Sequence, residues 1–165
     1  PPCQGFSNAG KRMIDDPRNL LYKEFVTIVK KLKPKVFVLE NVEGIMTSND
    51  GKTYEEIKSN FKELGYNVAG HKLHAVKFGV PQKRKRVVII GTLKGDPETF
   101  FPKELIGDEK NYVSVKNAIG DLFEIEVVGH TDVVKLPNKT SHFFQKFVRG
   151  LISPKEYKKY FTKTS

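Results

Sequence analysis

The sequence lacks the features that mark membrane, secreted and zinc-binding proteins. Its longest uninterrupted apolar runs, Val36–Leu39 and Val87–Ile90, hold four residues each, far fewer than the roughly 18 that a membrane-spanning helix needs. No secretory signal peptide is visible, and the single cysteine, Cys3, cannot form an internal disulfide. No Cys/His cluster accompanies that cysteine. These absences predict a reducing intracellular compartment, no membrane partner and no metal ion.

Nucleotide-binding fingerprints and repeats are also missing. The chain contains neither a Walker-type phosphate loop nor a Gly-x-Gly-x-x-Gly turn, and no segment recurs at a fixed period. The histidines lack metal-ligand spacing, and we interpret them as ordinary polar residues: His71, His74, His130 and His142. The sequence therefore gives no sign of a phosphate-loop enzyme, a dinucleotide-dependent enzyme or a repeat protein.

The chain does have an excess of positive charge. Its 165 residues are 38% hydrophobic and 29% charged, which suits one soluble globular domain, and its net charge is +10. Residues 1–86 carry +8 of that excess, and the densest basic run is Lys83–Arg86. A basic balance makes a polyanion the first partner to consider, although a short basic run alone is more often a solvated loop.

The first half of the chain shows an α/β pattern that begins with a helix and a strand. Asp16 is a predicted N-cap, and apolar residues at helical spacing predict a helix over 17–32. The continuous apolar run Val36–Leu39 predicts a strand buried on both faces of a parallel sheet. Glu40 and Asn41 end that strand. The carboxyl ends of strands in open α/β sheets are where ligands bind, so both residues are candidates for a site.

A second helix and two further strands complete this pattern. Thr53 and Glu56 fit a capping box at the start of a helix that Gly65 would end. Strands are predicted over 67–75 and over Val87–Ile90. The alternation of helices and strands is typical of α/β proteins.

The residue pattern of the sequence changes near residue 95. Turn signals multiply after that point and the apolar residues scatter, so we divide the chain into residues 1–94 and 95–165. In the second part, Ser114 is a predicted cap for a short helix that ends near residue 122, and Ser153 is a predicted cap for a helix over 154–161.

Cys3 and Glu40 are the side chains most able to carry chemistry. Cys3 follows two prolines in a stiff turn, and nearby positive charge would lower the pKa of its thiol and favour the nucleophilic thiolate. A lone cysteine is also commonly a small buried hydrophobe. Glu40 is either a structural acid or a ligand-binding carboxylate. The residues by themselves leave both alternatives open.

Five segments in a fixed order carry a resemblance to a known family: Pro1–Ser7, Asp16–Leu21, Glu40–Val42, Gly65–Tyr66 and Gly79–Arg86. Together they resemble the ordered motifs of DNA (cytosine-5)-methyltransferases of the bacterial modification type. The family's Phe-x-Gly-x-Gly methyl-donor motif and its last two motifs have no counterpart here. The resemblance implies an incomplete α/β, Rossmann-like methyltransferase domain in residues 1–94, followed by part of a target-recognition region in 95–165.

The resemblance also implies catalytic roles. Cys3 would attack carbon 6 of a flipped cytosine, and Glu40 would contact the N3 and N4 edge of that base. Arg84 and Arg86 alternate at the entry to a strand, so they would share one face and meet the base, the loop bearing Cys3 or a phosphate. Lys83 and Lys85 would then face solvent.

Other residues would support these groups or bind ligands. Asn41 and Gln82 match supporting positions, as do Pro2 and Gln4 in the loop around the nucleophile. Ser7, Arg84 and Arg86 are the candidates for DNA contacts. Leu21 matches a position that contacts the methyl donor, although it is equally a candidate for the helix core.

At the level of function, the resemblance implies methyl transfer from S-adenosylmethionine to duplex DNA in a bacterial restriction-modification system, at the nucleoid in the cytoplasm. Most of the methyl-donor site would lie outside this chain, in a missing N-terminal segment or a complementary subunit, so we expect the chain alone to be inactive. Two alternatives remain: a transfer-RNA cytosine-5 methyltransferase, and a non-catalytic DNA-binding half of a split enzyme.

Overall fold

A computed structural model describes residues 21–124 and 139–162 of the chain. The predicted cap at Asp16 lies outside these residues. Helices and strands alternate in the first part of the chain, and short helices follow. In chain order they are α1 (Leu21–Leu32), β1 (Val36–Asn41), α2 (Gly44–Thr47), α3 (Lys52–Glu63), β2 (Asn67–His74), β3 (Lys85–Thr92), α4 (Val115–Ile119), α5 (Phe143–Val148) and α6 (Pro154–Thr162).

The described residues fall into two compact units. The first unit comprises residues 21–73 and 85–102, and the second comprises 74–84, 103–124 and 139–162. Residues 74–84 therefore belong with the C-terminal part of the chain. The division that the sequence predicts at residue 94 concerns catalytic and target-recognition regions, and it stays a prediction.

The sheet of the described residues has the strand order β1-β3-β2, and β1 runs antiparallel to β3. The prediction that Val36–Leu39 lies in a parallel sheet with both faces buried is therefore wrong. Exposed and buried residues alternate along β1, and Val38 is 59% exposed. An antiparallel strand can leave one face uncovered, and a short apolar run does not distinguish the two arrangements.

The other face of β1 supplies the core of the first unit. Phe37 and Leu39 are buried together with Ile57 and Phe61 of α3 and Ile89 of β3. The rings of Phe37 and Phe61 lie 4.2 Å apart between centroids. Helix α3 thus packs on the sheet through Ile57 and Phe61.

The register of β1 against β3 is marked by a close contact between Phe37 and Gly91. These residues are directly opposite each other, and a Cβ built on Gly91 would overlap the Phe37 ring. The same register places Glu40 opposite Val88. Because side chains alternate between faces, Glu40 lies on the face opposite to Phe37.

Helix α3 starts differently from its prediction. Its N-cap is Gly51, and no side-chain capping bond is present, so the capping box of Thr53 and Glu56 is wrong. Asn49, Asp50 and Gly51 all have positive φ, and this left-handed turn brings the chain into the helix before Thr53. The end of the helix is as predicted, with Gly65 at φ 86°.

The second unit depends on helix caps and an aromatic cluster. Ser114 and Asn117 form a capping box at α4, and Ser153 caps α6 by accepting from the Glu156 amide, so both predicted caps are confirmed. Helix α5 was not predicted; His142 caps it through Nδ1. One cluster of buried apolar residues in this unit comprises Ile106, Val113, Tyr157 and Phe161.

Candidate active site

Glu40 and Asn41 end strand β1 with opposite exposures. Asn41 is 2% exposed, and its Oδ1 accepts a hydrogen bond of 2.9 Å from the Val42 amide. The Glu40 side chain is 53% exposed. The strand end is therefore fixed by a buried amide, while the neighbouring carboxylate is presented to solvent.

Glu40 forms an ion pair with Arg86 across the sheet. Arg86 lies two residues before Val88, the residue opposite Glu40, so the pair is diagonal and shares one face. The distance from Arg86 Nε to Glu40 Oε1 is 2.9 Å, and Arg86 Nη1 donates to the Lys85 carbonyl at 2.8 Å. The sequence placed both residues in a site, but their pairing was not predicted.

This ion pair orients the carboxylate more than it stabilises the fold. Both side chains are partly exposed, and pairs of that kind contribute at most about 1 kcal/mol. The guanidinium is permanently charged and planar, and its bonds from Nε to Glu40 and from Nη1 to the Lys85 carbonyl together fix its orientation. Glu40 Oε2 and Arg86 Nη2 can then bind a ligand.

Gln82 and Arg84 lie on a tightly turned loop of the second unit. The Gln82 amide donates to the Val80 carbonyl and the Arg84 amide donates to the Gln82 carbonyl, both at 2.8 Å. Both side chains are exposed. Arg84 precedes β3, and Arg86 lies within it, so the prediction that the two arginines share one face is not tested by the strand and stays a prediction.

Several predicted site residues lie outside the described residues. Cys3 is among them, as are Pro2, Gln4 and Ser7. Their roles stay predictions. Leu21, the candidate contact to the methyl donor, is half-buried at the first position of α1.

Residues 21–124 and 139–162 contain neither a cluster of metal ligands nor a membrane-spanning helix. No group of three or more potential metal ligands occurs there. No helix in this part of the chain is long and apolar enough to cross a membrane. His71 instead contacts Glu98 at 2.6 Å, and His142 caps α5, so both make polar contacts within their own units.

One contact that the sequence does not reveal lies beside the loop of Gln82 and Arg84. The Tyr157 hydroxyl of α6 donates to the Gly79 carbonyl at 2.6 Å, in a buried bond between residues 78 positions apart. Separations of this length leave no local pattern. The only signal in the sequence is the recurrence of aromatic residues in 143–161.

Comparison with known proteins identifies relatives over most of the chain. The model of the C-5 cytosine-specific DNA methylase family matches residues 1–162. Type II methyltransferase M1.HphI of Haemophilus parahaemolyticus is 50% identical over 123 residues, which covers 73% of this chain and 32% of M1.HphI. Type II methyltransferase M.DdeI of Desulfomicrobium norvegicum is 38% identical over 155 residues, which covers 90% of this chain and 37% of M.DdeI.

Comparison of structures supports the same fold. The chain is similar to the crystal structure of a protein described as a DNA modification methyltransferase, encoded within an E. coli prophage, with a TM-score of 0.58 and 29% identity. The match covers 88% of this chain and 41% of the other. The predicted fold class, a partial α/β methyltransferase domain, is confirmed. The chain spans well under half the length of these relatives.

Proposed function

Because the chain belongs to the C-5 cytosine-specific DNA methylase family, we propose that the full protein methylates carbon 5 of cytosine in duplex DNA. The observation that carries this proposal is the Glu40–Arg86 pair at the end of β1, which presents an oriented carboxylate to solvent. Relatives of the chain are named Type II methyltransferases, and we propose that the full protein has a role in a restriction-modification system.

The chemistry begins with a nucleophile. Carbon 5 of cytosine is a poor nucleophile and is inaccessible in a stacked duplex, so the base has to leave the helix first. The Cys3 thiolate then forms a bond from Sγ to carbon 6, and the ring electrons move toward N3 and carbon 5. Carbon 5 thereby becomes able to attack an electrophilic methyl group.

Glu40, positioned by Arg86, stabilises the negative charge that develops on the cytosine ring. Glu40 binds the N3 and N4 edge of the base, where a shared proton offsets the negative charge that develops on N3. Arg86 holds Glu40 Oε1 at 2.9 Å, and its remaining donor, Nη2, reaches a base oxygen or a phosphate. Arg86 therefore acts as a positioning residue for Glu40, with Asn41 fixing the strand end.

Completion of the cycle needs the methyl donor and a proton acceptor. S-adenosylmethionine supplies the methyl group as a sulfonium. Leu21, apolar and half-buried at the start of α1, fits a van der Waals contact to that donor. After methylation, loss of the carbon 5 proton and cleavage of the Sγ–carbon 6 bond restore the aromatic ring and the Cys3 thiolate.

Duplex DNA is the proposed partner, and the charge of the chain favours it. Residues 1–86 carry +8 of the net +10 charge, and cationic side chains bind the phosphate backbone. Ser7 and Arg84 are the proposed DNA contacts besides Arg86, with Pro2, Gln4 and Gln82 shaping the two loops that carry them. A protein with this substrate would work at the nucleoid in the bacterial cytoplasm.

Most of the methyl-donor site is proposed to come from a segment or complementary subunit other than the described residues. The exposed face of β1 supports this, since Val36 and Val38 are 37% and 59% exposed on the same face as Glu40. The solvent-facing side of an antiparallel sheet normally carries polar residues, so two valines there favour a partner segment that covers them. The chain alone is therefore expected to be inactive.

The test uses duplex DNA in which the target cytosine carries fluorine at carbon 5. Because fluorine cannot leave as a proton does, the Cys3 adduct persists and is visible as a DNA-protein band that depends on S-adenosylmethionine. We expect the full protein to form the band and to methylate unmodified DNA, and Cys3→Ala to do neither. Methylation by Cys3→Ala, or methyl transfer to transfer RNA in preference to duplex DNA, would overturn the proposal.

A further inference from the structure

The loop that carries Gln82 and Arg84 is closed on itself by backbone hydrogen bonds. The Ala75 amide donates to the Arg84 carbonyl at 2.9 Å, and the Val80 amide donates to the Ala75 carbonyl at 3.2 Å. The two ends of the loop are thus joined. The conformation of the loop then depends on the contacts that its residues between Ala75 and Arg84 make with the rest of the second unit.

One tie at the start of the loop comes from the segment after residue 103. The amides of Leu105 and Ile106 both donate to the Lys77 carbonyl, at 2.9 and 3.1 Å. Lys77 also pairs with Glu104 at 2.9 Å, but that pair is partly exposed and contributes little to stability. The backbone bonds therefore fix this end of the loop.

The second tie is the hydrogen bond from Tyr157 to Gly79. Tyr157 is 6% exposed, and its hydroxyl donates to the Gly79 carbonyl at 2.6 Å. Burial raises the pKa of Tyr157 to about 12, so the hydroxyl keeps its proton at neutral pH and remains a donor. Without this bond the Gly79 carbonyl would lose a buried partner, which is costly.

The backbone conformation of Gly79 and its lack of a side chain make this contact possible. Its φ is 80°, a left-handed conformation that residues with a Cβ seldom adopt. A Cβ built on Gly79 would overlap the Tyr157 hydroxyl and lie 3.0 Å from the Phe161 ring. Both the conformation and the close approach of α6 therefore need glycine at this position.

The Tyr157 ring is itself held by other aromatic side chains. It stacks on Phe147 with centroids 4.2 Å apart and meets Phe161 edge-on at 5.2 Å. Phe143 lies 5.4 Å from it. The hydroxyl is thus presented by a rigid cluster, so its direction does not depend on a mobile side chain.

We propose that Tyr157 is a positioning residue, which fixes the loop of Gln82 and Arg84 through the Gly79 carbonyl. The inference rests on the proposed function, since it assigns Tyr157 a part in DNA methylation. Helix α6 has no side chain in the proposed chemistry, yet through Gly79 it would set where Arg84 meets DNA.

Tyr157→Phe tests this in the full protein, because it removes the hydroxyl and keeps the ring. We expect kcat/KM for duplex DNA to fall about tenfold, from loss of one buried hydrogen bond. The KM for S-adenosylmethionine should stay unchanged. Amide hydrogen exchange should accelerate within 79–84 and not in β1 or β3. The matched control is Tyr160→Phe, which removes a hydroxyl from the same helix at a residue that is 45% exposed.

The outcomes separate this inference from the proposed function. Wild-type exchange within 79–84 in Tyr157→Phe would overturn the inference whether or not the protein methylates DNA. An equal loss of activity in Tyr160→Phe, or a general loss of melting temperature and of protection in all helices, would also overturn it. Failure of the proposed function would instead appear as an inactive wild-type protein and no Cys3 adduct.

Gly79→Ala tests the same contact by changing the residue whose carbonyl accepts the hydrogen bond. If Tyr157 acts through Gly79, the effects on kcat/KM of Tyr157→Phe and Gly79→Ala should be less than additive, since each removes the same contact. Additive effects would place the action of Tyr157 elsewhere and overturn the inference. Should Gly79→Ala fail to fold, the exchange pattern of Tyr157→Phe still decides the matter.

Discussion

The two units of this chain are stabilised in different ways. The first unit has a core of completely buried side chains, with Ile45, Ile57, Phe61 and Ile89 each at 0% exposure. Large buried apolar areas provide most of the free energy of folding. The sheet can therefore carry an exposed ion pair on its other face without depending on it for stability.

The second unit has a smaller buried core, and side chains cap its helices. Its apolar cluster has four buried residues, and two of them, Tyr157 and Phe161, are aromatic. A largely buried ion pair joins Asp121 to Arg149, and side chains cap α4, α5 and α6. Each cap contributes about 1 kcal/mol. We infer that a polar change at a helix cap acts on the stability of this unit, whereas a polar change on the exposed face of the sheet acts on activity, and three predictions test the difference.

The largest expected effect is in the core of the first unit. Phe61→Ala should lower the free energy of unfolding by about 3–5 kcal/mol, because it removes a fully buried ring and leaves a cavity. Urea denaturation followed by circular dichroism measures it, with hydrogen exchange in β1 and β3 as the local reading. The control is Phe100→Ala, at a residue that is 54% exposed, which should change stability by about 0.5 kcal/mol or less. A loss below about 1 kcal/mol for Phe61→Ala would contradict the described core.

The next effect concerns activity on the exposed face of the sheet. Arg86→Lys keeps the charge but loses the planar contact to Glu40, so kcat for DNA methylation should fall about 10- to 100-fold. Stability should change by no more than about 1 kcal/mol. Steady-state kinetics of the full protein measure the first quantity and thermal denaturation the second. Lys85→Ala is the control and should keep wild-type kcat; equal kcat in Arg86→Lys and wild type would remove the positioning role of Arg86.

The smallest effect is a pH dependence confined to the second unit. Burial lowers the pKa of His142, whose Nδ1 accepts a hydrogen bond from the Phe144 amide. The unfolded chain then takes up the proton first, so stability is complete above the ordinary histidine pKa of 6.5 and falls as pH drops below it. Melting temperatures between pH 5 and 8 should show this fall in wild type. His142→Asn, which keeps a capping side chain but does not titrate, should show less of it, and identical slopes would rule out His142 as the cause.

Sequence reasoning predicted elements better than it predicted their pairing. The two apolar runs around Phe37 and Ile89 are both strands, because short apolar runs that contain β-branched residues favour strands. Their antiparallel arrangement was missed, because a run of four apolar residues occurs in parallel and antiparallel strands alike. The left-handed turn at Asn49 and Asp50 was also missed, although Asn, Asp and Gly are the residues that most readily adopt positive φ.

The same limit applies to the candidate site. The resemblance picked out Glu40 and Arg86 separately, each within its own segment. Their contact depends on the register of two strands that are more than 40 residues apart in the chain, which no local pattern encodes. Helix α5 was missed for a different reason: its cap is His142, whereas the residues that usually signal a helix start are Ser, Thr, Asp and Asn.

The contact of Phe37 with Gly91 has a consequence for how this site can be changed. A slip of one residue between β1 and β3 would turn every side chain of β1 to the opposite face, and Glu40 would then point into the apolar core. Only the hydrogen atom of Gly91 leaves room for the Phe37 ring in the present register. A methyl group added at Gly91 would lie on the side of the sheet away from the Glu40 carboxylate. It would therefore change the position of Glu40 through the strand register, without contacting Glu40 itself.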